Sequence, residues 1–152
     1  MGNWRRDGSP ASWPAKYPGV VAVGAVDIND QVAPFSNQGD HIAICAPGVD
    51  ILATLPTYRG VERYTVKLDA DGNWIRDKEP HWTVYRGAKS GTSMAAPQVA
   101  AAAALWTARH GRSRSDFVTA LQLSARKVSW MQGQDFTPDY GYGCLDVARL
   151  LS

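Results

Sequence analysis

The chain has 152 residues, 45% hydrophobic and 20% charged, a balance that suits one small folded domain and argues against a disordered chain. Its net charge of +2 comes from scattered rather than striped Lys and Arg, which argues against a nucleic-acid or polybasic membrane surface. Two cysteines are too few for a disulfide framework; Cys45 (HIAICAPG) and Cys144 (GYGCLDVARLL) sit among apolar residues and read as reduced core side chains.

Residues 1–19 are rich in Gly, Pro, Ser and Trp and read as loop. They lack the apolar core of a signal peptide. VVAVGAV (Val20 to Val26) is a continuous β-branched run, the pattern of a strand buried on both faces of a parallel sheet. DINDQ turns the chain, and HIAICAPG gives a second buried strand closed by Pro47 and Gly48. DILATLP reads as a shorter strand or extended segment. Between residues 61 and 86 the character changes: RYTVKL and WIRDKEPHWTVY are polar and β-rich on either side of DADGN, which predicts an inserted antiparallel hairpin. DADGN as a calcium loop is disfavoured, because Gly is fourth and position twelve is Pro80 where the loop needs Gly sixth and Glu twelfth.

The next helix is the strongest local signal. Pro97 is tolerated near a helix start, so the helix should begin between Thr92 and Ala95 and end at Gly111. Ala100 to Ala104 are small on every face, which predicts a central helix buried on all sides. SRSDFVTALQLSARKV predicts an amphipathic helix capped by Ser115 or Asp116, and GCLDVARLL a last short helix. The longest apolar run, Val99 to Trp106, is far too short to cross a bilayer.

Ser93 stands at the mouth of the alanine helix, where unpaired backbone N–H groups and the helix dipole suit an oxyanion. Gly91 and Ala95 leave room there for a substrate backbone. Taken alone, such a serine is an ordinary helix N-cap. Its context is SGTSMAAPQVA, which closely resembles the nucleophile motif GTSMA-x-PHVAG of subtilisin-like serine proteases, with Gly91, Thr92, Ser93, Met94, Ala95 and Pro97 in order. KYPGVVAVGAVD, FSNQGDHIAICAPGVDILATLP and GYGCLDVARLL are similar to further stretches of that family. Gln98 and Ala101 depart from it, where the family carries His and Gly; neither belongs to its catalytic triad.

The resemblance implies a partial subtilisin-like three-layer α/β fold, with parallel strands flanked by helices and the 61–86 hairpin as an insertion. It implies Ser93 as nucleophile, Asn3 of Gly2-Asn3 as oxyanion donor ahead of Tyr17, and Gly2, Gly91 and Thr92 as substrate-binding positions. It also implies a peptide substrate, no required cofactor, a weak calcium or sodium site of carbonyls near Ala15, Tyr17 and Val20, and secretion. The family's base and orienting carboxylate come from HGTxVAG and D-[ST]-G, and neither string exists here. His41 in its strand, His81 in the hairpin and His110 at a helix end are poor substitutes. The expectation is therefore a C-terminal half of a peptidase domain, inactive alone, whose partner is the N-terminal half. Alone it should expose a sheet edge and apolar surface. A non-catalytic binding or scaffolding half-domain is the alternative.

Overall fold

The computed structural model describes residues 1–55, 86–152 and the backbone of two strands, Tyr64–Leu68 and Trp74–Lys78. The chain divides into two compact units, Met1–Ile51 with Lys89–Ser152, and Leu52–Ala88.

The first unit is built on two parallel strands, β1 (Ala22–Val26) and β2 (Ile42–Pro47), in the two apolar runs of the sequence. Successive strand side chains point to opposite faces, and the core divides accordingly. Val23, Ala25, Ile44 and Ala46 lie in one cluster with Ala95, Val99, Ala102, Trp106, Phe117 and Leu121. Val26 and Cys45 lie in a second, with Val128, Met131, Tyr140 and Cys144. Every β1 residue is buried. The outer edge of β2 is met by the closing segment: the Cys45 N–H donates to Gly143 O at 2.9 Å, and the Leu145 N–H to Cys45 O at 2.8 Å. The outer edge of β1 is met at Ala25, whose N–H donates to Ser36 Oγ at 3.1 Å. Both faces of the strands are covered by this chain's own segments.

Apolar surface is exposed elsewhere. The long helix α1 (Thr92–His110) buries Thr92, Ala95, Val99, Ala102 and Trp106, a stripe of three- and four-residue steps. Ala100, Ala101 and Ala104 face outward, and Leu105 is 53% exposed. The expectation of a helix buried on all sides is therefore corrected: the sheet covers one side, and small side chains leave the other undefined. Pro97 is the sixth residue of α1, one turn deeper than the start of a helix. Its missing N–H takes the i+4 donor from the Ser93 carbonyl.

Helix α2 (Arg114–Ser124) is capped by Ser113, whose Oγ accepts from the Asp116 N–H at 3.4 Å. Ser115 and Asp116, the expected caps, lie inside its first turn. The final helix α3 is Val147–Leu150, with Asp146 as its cap. Single 3-10 turns occupy Arg5–Asp7 and Ser129–Met131.

In the second unit, β4 (Tyr64–Leu68) and β5 (Trp74–Lys78) pair antiparallel, Tyr64 with Lys78 and Leu68 with Trp74. The turn DADGN and residues 79–85, including His81, lie outside the described residues. A separate pair joins β3 (Ile51–Thr54) to β6 (Arg86–Lys89). RGAK carries no strand signature of its own, and its extended state comes from this pairing.

Candidate active site

The sheet and α1 meet where β2 ends. The Gly91 N–H donates to Gly48 O at 2.7 Å, which fixes the start of α1 beside the end of the strand. A Cβ on Gly48 would stand 2.6 Å from Ala25 Cβ and 2.9 Å from Gly91 O, so the junction closes only on glycine. Gln98 reinforces it from the second turn of the helix: Nε2 donates to Pro47 O at 2.7 Å and to Met94 O at 3.1 Å.

Ser93 is the second residue of α1 and is exposed. It is not a cap. The N-cap is Gly91, which has no side chain of its own to cap the helix. Among the described residues no side chain bonds the Ser93 hydroxyl, which therefore faces solvent at the helix mouth.

Asn3 comes to the same place from the other end of the chain. Its Oδ1 accepts from the Thr92 N–H at 3.0 Å and from Thr92 Oγ1 at 3.0 Å. A backbone N–H can only donate, so the amide must present its oxygen to Thr92 and its Nδ2 elsewhere. A carbon built on Gly91 would sit 3.3 Å from Asn3 Nδ2 and 3.7 Å from the Ser93 backbone nitrogen. Two donor nitrogens thus border one small volume that a side chain on residue 91 would crowd. Negative charge developing on an oxygen there would meet both. Thr92 itself is 3% exposed, and its Oγ1 also donates to Met1 O at 3.3 Å. Of the five positions singled out in the sequence, Ser93, Asn3, Thr92 and Gly91 are brought together here. Gly2 is buried directly behind Asn3.

Two further residues were not singled out. Ser36 and Asn37 are fully buried polar side chains in the loop between β1 and β2. Asn37 Oδ1 accepts from the Trp4 N–H at 2.7 Å, and its Nδ2 donates to Pro10 O at 3.0 Å. The signal available in the sequence was FSN itself, two hydrogen-bonding residues in a loop between two buried strands.

No base is at hand among the described residues. His41 lies in the turn just before β2 rather than within the strand, at the end opposite Gly48. Six strand residues intervene, about 20 Å at the usual strand rise. It lines a cleft of about 450 Å³ with Val20, Asp40, Arg114, Phe136 and Tyr142. Burial lowers its pKa, aided by Lys16 and opposed by Asp40. His110 ends α1 stacked on Trp106, with ring centroids 4.9 Å apart. Seventeen residue-to-residue rises of helix, about 26 Å, separate it from Ser93. Among the described residues no group of three or more His, Cys, Asp or Glu side chains is placed to hold a metal ion. Likewise no described helix is long and apolar enough to cross a membrane.

The sequence pattern of the subtilase family matches residues 1–143. This chain belongs to that family. As a subtilase it is 39% identical to subtilisin E of Bacillus subtilis strain 168 over 104 residues, 67% of this chain and 20% of that protein. It is 36% identical to subtilisin DY of Bacillus licheniformis over 135 residues, 89% of this chain and 38% of that protein. Fervidolysin from Fervidobacterium pennivorans, a keratinolytic enzyme related to subtilisin, superposes with a TM-score of 0.70 at 28% identity, covering 91% of this chain and 20% of that one. A lanthipeptide protease does so at 0.70 and 26% identity, covering 99% of this chain and 48% of that one. The subtilisin-like α/β fold is thereby shown, and the chain spans less than half the length of each of these relatives.

Proposed function

We propose that this subtilase chain supplies the nucleophile and the oxyanion donors of a serine endopeptidase whose His and Asp come from a preceding half of the same domain. Ser93 attacks the peptide carbonyl, and Asn3 Nδ2 with the Ser93 N–H holds the oxyanion. Gly2, Gly91 and Thr92 frame the substrate backbone, and no cofactor takes part in the chemistry. The observation that carries this reading is the Asn3 amide, turned by Thr92 so that its Nδ2 faces the same volume as the Ser93 N–H. A protein or peptide substrate fits the family, and the named lanthipeptide protease is one relative with a peptide target. The exposed outer face of α1 supports a missing cover, because a monomer keeps so apolar a helix face wet only at a cost. The weak cation site near Ala15, Tyr17 and Val20 stays part of this proposal, ancillary to the reaction. A binding or scaffolding role for the chain alone would leave the convergence of Asn3 and Ser93 without a purpose.

The test is a chain extended upstream by a half-domain bearing the family's D-[ST]-G and HGTxVAG segments. The chain of 152 residues should stay unlabelled by a fluorophosphonate at neutral pH, since an unassisted hydroxyl is a weak nucleophile. The extended chain should be labelled and cleave peptides, and Ser93→Ala should abolish both. Rapid labelling of the short chain, or a folded extended chain that stays inert, refutes the reading.

A further inference from the structure

Asn3 has to be held from behind as well as from the front, because an oxyanion donor works only if it is already in place when charge develops. Thr92 holds the side chain. What holds the backbone is a single buried residue. The Asn37 N–H donates to Gly2 O at 3.0 Å, and Asn37 Oδ1 accepts from the Trp4 N–H at 2.7 Å. The peptide groups on both sides of Asn3 are thus tied to one residue, with Asn3 alone between the two ties. Gly2 packs against that residue so closely that a Cβ would stand 2.6 Å from Asn37 Nδ2. The third polar group, Nδ2, donates to Pro10 O and closes the rest of the loop. Among the described residues, every hydrogen bond that Asn37 makes goes to this loop.

We propose that Asn37 is the positioning residue of the oxyanion donor, an inference that rests on the reading of Asn3 given above. Ser36, next to Asn37, is bonded through its own side chain to β1, where Oγ accepts from the Ala25 N–H. Asn37 touches neither nucleophile nor substrate; it sets where Asn3 Nδ2 points. Ser36 is equally buried and equally polar, but its side chain bonds β1 rather than the Asn3 loop, which makes Ser36→Ala the control for simple loss of stability.

The experiment uses the extended, catalytically complete chain. Two readouts are taken for Asn37→Ala, Ser36→Ala and Asn3→Ala: kcat and KM on a peptide amide, and hydrogen exchange of the Trp4 and Thr92 amides. Asn37→Ala should lower kcat about tenfold or more with KM within about twofold, because the contact matters mainly in the transition state. It should also speed exchange at Trp4 and Thr92 by about tenfold, through loss of local order. Ser36→Ala should leave kcat within about twofold at a comparable loss of thermal stability. A folded Asn37→Ala protein with unchanged kcat and unchanged Thr92 exchange overturns the proposal. So does a Ser36→Ala protein whose kcat falls as far. If Asn37→Ala fails to fold, Asn37→Asp keeps the acceptor for Trp4 and should keep Thr92 protection and most of kcat; loss of both with Trp4 still protected overturns the proposal. Should Asn3→Ala leave kcat untouched, the oxyanion reading fails on that arm alone, while the exchange arms still decide whether Asn37 holds the loop.

Discussion

Thr92→Val isolates the bond that turns the Asn3 amide. The substitution keeps side-chain volume and the backbone N–H to Asn3 Oδ1 but removes the hydroxyl that donates to the same oxygen at 3.0 Å and to Met1 O at 3.3 Å. At 3% exposure Thr92 has no water to replace that donor. One buried neutral hydrogen bond is worth about 1 kcal/mol, and helix propensity is nearly equal for the two residues. Thermal unfolding should therefore drop by roughly 3 °C in a domain of this size. In the extended chain kcat should fall severalfold with KM little changed, because Asn3 retains only one of its two ties to α1. Thr92→Ser, which keeps the hydroxyl and loses a methyl group, should retain kcat despite a similar loss of stability. Melting curves and steady-state kinetics on the two variants decide it. If Val matches wild type in both, or Ser loses kcat as Val does, the hydroxyl does not hold Asn3.

Two predictions concern groups outside the site. Cys45 and Cys144 are free, and burial pushes both thiols up, Cys144 to about 11; an aromatic disulfide reagent at pH 8 should find both unreactive until denaturant is added, and fast reaction of the native chain would contradict their burial. Asp30 receives both guanidinium nitrogens of Arg126 at 2.8 Å, which lowers its pKa from the ordinary 3.8. A lowered carboxylate pKa stabilises fully above the unfolded value and is lost as pH falls through the folded one. Arg126→Gln should thus cost roughly 0.5 kcal/mol at neutral pH, small because both side chains are partly exposed, and the difference from wild type should shrink below pH 3.8. A difference in melting temperature that persists unchanged at lower pH would refute the pairing.

The sequence was most legible where one physical demand dominates. Val20 to Val26 and HIAICAPG are continuous apolar runs, and no arrangement but strands covered on both faces suits them. The start and stop of α1 follow from Pro97 and Gly111. Its orientation was illegible, because alanine has no preferred side and the run from Ala100 to Ala104 carries no amphipathic period. In SRSD three neighbouring residues can cap, and the choice fell to Ser113 because its hydroxyl lies three residues before the Asp116 N–H. β6 was missed because RGAK is extended by its partner and not by its composition. Asn37 was missed for a different reason. A polar residue in a loop ordinarily meets water, and only the fold shows that this one meets Gly2, Trp4 and Pro10 instead.

On the proposed reading, the same contrast separates holding an oxyanion from taking a proton. Stabilising an oxyanion needs donors fixed before the charge arrives, a demand of rigidity. Asn3 meets it with ties to Thr92 on one side and Asn37 on the other, 89 and about 34 residues away in sequence and both anchored beside the β1–β2 sheet. Taking a proton from Ser93 needs a base of suitable pKa within hydrogen-bond reach, a demand of proximity. The described histidines fail that demand by tens of ångströms rather than by a rotamer, so no local rearrangement brings them in. On the proposed reading, donor geometry and proton transfer are carried by different parts of the domain, and the first can be complete before the second is supplied.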